Sequence, residues 1–198
     1  MAHRIWDSAT WLAAPLCIRY LVAHFGALDV PTVGAAASGS DRWHWAIGFH
    51  AEGEFELLGA WRDEGTGTPQ RIASDLQERG IERLRAVAAE GALTAHMAGV
   101  RPLVCRRTLS ELEACGVFGG RTRRVIRWTG QASQAANKRL AALIKRHGPV
   151  ADAAEGTEVV ATSLQRVQLE LFDGWRRRGG RTPYGAQATS EFLSAAAA

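Results

Sequence analysis

The chain has 198 residues, 46% of them hydrophobic, and a formal net charge of +4 from 24 Lys+Arg against 20 Asp+Glu. That length suits one domain with at most a small appendage, and the apolar fraction is enough to bury a core, which excludes wholesale disorder. Three cysteines, Cys17, Cys105 and Cys115, form no CxxC or CxxH pair, which argues against a disulfide scaffold and a structural zinc site and makes a reduced, cytoplasmic setting the default.

Residues 3–25 read as helical, with Ile5, Trp6, Trp11, Leu12, Leu16, Leu21, Val22 and Phe25 as inward positions and a break or kink at Pro15. No apolar run reaches the roughly 18 residues of a membrane helix, because Arg19 interrupts the best one. Residues 11–17 look superficially like a secretory core, but Asp7 precedes them and no small-x-small site follows. A short strand is expected at 27–33, broken by Pro31, then a loop at 35–41. Residues 43–49 and 55–61 read as two strands joined by a hairpin at His50-Ala51-Glu52-Gly53. Thr68-Pro69 opens a helix with Thr68 as its cap, carries Ile72 and Leu76 inward, and stops at Gly80.

Residues 84–89 fit a buried strand, 91–98 a short helix and 101–105 another strand. The glycine-rich break at 116–120 is no phosphate loop, since no Gly-Lys-Ser/Thr follows. Ser133 caps a helix running to His147, and Gly148-Pro149 ends it. A last helix at 157–175 carries Val160, Leu164, Val167, Leu171 and Trp175 as a core stripe. The basic, alanine-ended tail 176–198 is expected to be mobile. Early strands with a hairpin, then strand–helix alternation, give an α/β domain with a mixed sheet covered by helices.

Charge is unevenly spread. Residues 1–100 hold 8 basic and 12 acidic residues, whereas residues 101–150 hold 11 basic and 2 acidic. Nine of those 11 are Arg, whose planar fork matches phosphate oxygens, so a polyanion such as DNA is the partner the block favours over a merely solvated face. Arg121, Arg123, Arg124, Arg127, Lys138, Arg139, Lys145 and Arg146 are the candidate DNA contacts. The six His residues show no HxH or HExxH spacing, and no metal cluster follows from them.

From Leu28-Asp29 to Trp175 the chain resembles the catalytic domain of mutator-type bacterial transposases. The likeness runs through Leu28-Asp29 at a strand end, Ala46-Ile47-Gly48, Glu52-Gly53 and Leu57-Leu58-Gly59-Ala60-Trp61 in a hairpin. It continues through Asp75-Leu76-Gln77-Glu78-Arg79-Gly80, Glu90-Gly91, Pro102, Cys105 and the 133–149 helix with its Gly148-Pro149 stop. The resemblance implies an RNase H-like fold in which antiparallel opening strands precede parallel ones. It implies an N-terminal segment at 1–26, a core at 27–175 with a helical insertion shortened to about 109–132, and a tail at 176–198.

In that family three carboxylates hold two divalent metals for DNA strand transfer. The resemblance puts the catalytic positions at Asp29, Glu90 and Asn137, with Asp29 and Glu90 as the remaining metal ligands. Glu90 is one methylene longer than the family's Asp, and Asn137 lacks the third charge. Mg2+ prefers several hard oxygen ligands in octahedral array, so binding should be weak or lost and strand transfer impaired. The expectation is a transposase-like, DNA-binding protein without competent chemistry. The alternative is a non-enzymatic nucleic-acid-binding or oligomerising module.

Overall fold

The computed structural model describes residues 6–33, 39–51, 53–89 and 120–177, with the side chains of 121, 122, 124 and 175–177 outside that set. Asp7 caps a first helix, α1 (Ser8–Ala13), by accepting hydrogen bonds from the Ala9 and Thr10 amides at 3.3 and 2.8 Å. Pro15 follows, and the chain enters β1 (Arg19–Thr32), β2 (Gly39–Phe49) and β3 (Phe55–Arg62). α2 (Thr68–Glu78) then crosses to β4 (Arg83–Ala89). Two long helices complete the fold, α3 (Gly120–His147) and α4 (Ala153–Arg177).

The sheet has the order β3-β2-β1-β4. β1 and β2 pair antiparallel, β2 and β3 pair antiparallel, and β4 lies parallel to β1. The architecture is therefore a mixed, helix-flanked α/β sheet, as the residue pattern predicts, with an antiparallel opening and a parallel fourth strand.

One face of the sheet packs Leu28, Val30, Trp43, Trp45, Ile47 and Phe49 beneath α3 and α4. The helices answer with Ala132, Ala136, Leu140 and Ile144 from α3 and Val160, Leu164 and Val167 from α4. The other face packs Phe25, Leu58, Trp61 and Val87 against Ile72, Ala73 and Leu76 of α2. Gly26 sits opposite Trp45 in the β1–β2 register, and a Cβ there would lie 2.4 Å from the indole, so only glycine lets that ring lie flat across β1.

Three expectations need correction. Residues 19–26 are strand, not helix: β1 is the inner strand, flanked by β2 and β4 and covered on both faces, so residues 20–25 are all buried and the period-2 signal disappears. The first strand thus begins at Arg19 rather than at 27, and among the described residues before it the helical part is α1. α3 begins at Gly120, so Ser133 lies in mid-helix instead of capping it, and the insertion expected at 109–132 is helical from 120 onward. In α2 the cap is Gly67, while the Thr68 hydroxyl accepts from the Glu64 amide at 2.8 Å.

The stop at Gly80 holds, with φ at 103°. α4 starts earlier than its apolar stripe because Asp152 accepts from the Ala154 and Glu155 amides, both at 2.9 Å, while the Glu155 carboxylate reaches back to the Ala151 amide. The helix at 91–98 and the strand at 101–105 lie outside the described residues, as do 178–198.

Candidate functional site

The last β1–β4 pair is Phe25 with Ala89, and the next parallel partner of β1 among the described residues is the isolated Thr32–Val150 bridge, which leaves a gap beside the strand between them. Such a gap at the carboxyl end of parallel strands is the usual place for a crevice in an open α/β sheet. A cleft of about 230 Å³ opens there, floored by His24, Gly26 and Trp45 of the sheet and Ala88 of β4. α3 supplies its other wall through Gly130, Ser133, Gln134 and Asn137.

His24 is the most constrained polar group in this cleft. Its Nε2 lies 2.8 Å from the Thr129 hydroxyl, which itself donates to the Ile126 carbonyl at 2.7 Å. With the hydroxyl proton so committed, Nε2–H must donate to Thr129 and Nδ1 keeps its lone pair. Burial holds the imidazole down at about 4, so it is neutral at ordinary pH. The Asn137 Oδ1 and the Trp45 Nε1–H are also buried and meet no hydrogen-bond partner among the described residues. Besides the more accessible Ser133 and Gln134, the cleft thus offers one buried acceptor and one buried donor to whatever enters it.

Asn137 is the one predicted catalytic position among the described residues lining the cleft. Asp29 is exposed on β1 opposite Arg42, and it alternates between Leu28 and Val30, which both point into the core beneath α3 and α4. The period-2 geometry therefore turns Asp29 to the opposite face from Asn137. The β1 side chain that meets α3 across the cleft is His24, five residues earlier in the chain. Glu90 lies outside the described residues.

Mg2+ takes carboxylate and other hard oxygens. The described lining residues with polar side chains are His24, Trp45, Ser133, Gln134 and Asn137, without a carboxylate. That donor set does not fit a pair of Mg2+ ions, and no catalytic step is assigned to them.

The predicted cations lie on α3. Arg123, Arg127, Lys138, Arg139, Lys145 and Arg146 are exposed, while the side chains of Arg121 and Arg124 are outside the described set. At 100° per residue, Arg123, Arg127, Lys138 and Lys145 fall within an arc of about 60°, which also contains Gln134, and Gly130 and Asn137 occupy the adjoining arc. The row spans about 33 Å at 1.5 Å per residue. A stripe of positive charge therefore runs along the rim of the cleft. Arg139 points away from it and pairs with Glu170 of α4.

Sequence reasoning does not single out His24, Trp45 or Thr129. The only signal for them is the paired polarity of a His in an apolar strand and a Thr on an apolar helix face. No family model matches the chain, and no curated protein matches it either. No helix among the described residues is long and apolar enough to cross a membrane.

Proposed function

We propose that the chain is a transposase-like protein on an RNase H-like core that binds DNA along α3 and has lost metal-dependent strand transfer. The observation that carries the reading is the basic row bordering a cleft whose described lining has no carboxylate. The strand order β3-β2-β1-β4, with an antiparallel opening and a parallel fourth strand, supports the core. Arg and Lys along one helical stripe would meet successive backbone phosphates, which positions a duplex without reading its bases. His24 and Asn137 both line the cleft and carry no negative charge, which fits a loss of metal binding there. The DNA contact does not need the ancestry: a binding module of other descent would use the same row.

The test is incubation of the purified protein with duplex DNA and Mg2+ or Mn2+. Retarded DNA with neither cleavage nor joining is expected. Turnover that Asp29→Ala abolishes would overturn the loss of chemistry, and absence of binding at low salt would overturn the DNA contact.

A further inference from the structure

On the other face of the sheet, the β2–β3 turn approaches the segment that leads into β1. Three side chains of different chemistry converge there. Cys17 precedes β1, His50 follows β2, and Glu56 is the second residue of β3. One ligand atom from each, a thiol sulfur, an imidazole nitrogen and a carboxylate oxygen, lies within 4.8 Å of the other two. A tetrahedral ion with bonds of about 2.0–2.3 Å holds its ligand atoms about 3.3–3.8 Å apart, so closing the site needs movements of about 1 Å.

We propose that Cys17, His50 and Glu56 form a Zn2+ site with three protein ligands and a water completing the tetrahedron. The site lies away from the α3 cleft and is independent of the DNA-binding reading.

The surroundings favour an ion. Glu56 is 5% exposed, a burial at which its carboxylate form needs a compensating cation and otherwise gives way to the protonated carboxyl. Its donors both come from Cys17, the amide at a long 3.3 Å and the thiol, while the cation that acts on it, Arg79, spends its hydrogen bonds on the Ala14 and Leu58 carbonyls and on Asp75. A dication bound by a thiolate and a carboxylate makes the buried group neutral overall. The backbone is also fixed around the site: the Cys17 amide donates to the Tyr20 hydroxyl at 3.0 Å, and the Tyr20 ring packs on His50 with centroids 4.7 Å apart.

Thiolate and imidazole select Zn2+ over Mg2+ or Ca2+. Binding is ligand exchange without electron transfer: the Cys17 S–H bond breaks, its proton goes to solvent, and the sulfur lone pair forms the Zn–S bond. Without metal the thiol is held protonated, pushed up to about 12 by burial first and by Glu56 second. Neighbouring charges are Glu54, which acts on Cys17, and Arg79, which acts on Glu56.

The experiment uses the full chain, stripped of metal and titrated with Zn2+ against a chromophoric chelator, with Co2+ as a spectroscopic probe. One equivalent of Zn2+ should bind, and Co2+ should give a thiolate charge-transfer band with tetrahedral d–d absorption. Cys17→Ser should remove the band, and His50→Gln should weaken Zn2+ binding at least tenfold. Mg2+ in large excess should not compete. A readout on the unaltered chain guards against misfolded variants: Zn2+ should slow alkylation of Cys17 at least tenfold, followed by peptide mapping. No Zn2+ binding, a Co2+ spectrum without the thiolate band, or protection falling on Cys105 or Cys115 instead of Cys17 would overturn the site.

Discussion

The two polar regions of this sheet lie on opposite faces and are built from opposite chemistry. The α3 cleft presents a neutral imidazole, an amide and an indole beside a row of cations. The turn-side cluster presents a thiol and a carboxyl close to one imidazole, with a buried guanidinium nearby. Among the described residues, one region lacks the negative charge a metal needs and is bordered by charge that attracts polyanions. The other holds two groups that become anions and has little around it to balance them. Position near a strand end thus does not decide what a cleft can do; the sign of the charge its neighbours leave uncompensated does.

The sharpest way to break the comparison is through the cleft floor. Trp45 is fully buried and packs across Gly26, so Trp45→Ala should lower the unfolding free energy by about 3–5 kcal/mol in urea denaturation. A loss under about 1 kcal/mol would mean that the floor is not packed as described.

The two regions should also respond oppositely to pH. The folded His24 titrates at about 4 against 6.5 for the free side chain. Its stability contribution is whole above pH 6.5 and is lost as pH falls through about 4, a change of about 3 kcal/mol. His24→Gln should flatten that acid limb. The folded Glu56 titrates at about 7 against 4.5, burial outweighing its hydrogen bonds and Arg79. In metal-free protein its contribution is therefore whole below pH 4.5 and lost as pH rises through about 7, again about 3 kcal/mol, and Glu56→Gln should flatten that limb. Denaturation curves from pH 3.5 to 8 separate the two, and limbs of the same sign would break the contrast.

A smaller effect sharpens the cleft geometry. Gly26→Ala forces a methyl group against the Trp45 ring and should cost about 1–3 kcal/mol, with the Trp45→Ala background relieving most of the penalty.

Much of the fold is legible in the residues. The hairpin, α2 and β4 follow from alternation, turn chemistry and a glycine stop, and these signals are local. β1 is not legible in its first half because burial on both faces erases the alternation that separates strand from helix. α3 reads short in the sequence because Gly130 and a run of arginines hide a stripe that runs through Val125, Ile126, Thr129 and Ala132. At the cleft, matching short motifs puts weight on Asp29, whereas the β1–β4 register, which no short motif contains, brings His24 to the end of β4. The Cys17, His50 and Glu56 cluster has no spacing signature at all, since β1 and β2 lie between its first two members.

The central claim, a cationic row that holds DNA, is tested most directly by salt dependence. Binding of a labelled duplex should be measured by anisotropy from low to moderate salt for the native chain and for the triple variant Arg127→Ala, Lys138→Ala, Lys145→Ala. The account predicts a steep fall of affinity with salt for the native chain, and a slope shallower by about 3 in log–log form for the variant, since each lost phosphate contact removes about 0.9. Equal slopes for the two proteins, or native binding indifferent to salt, would contradict it.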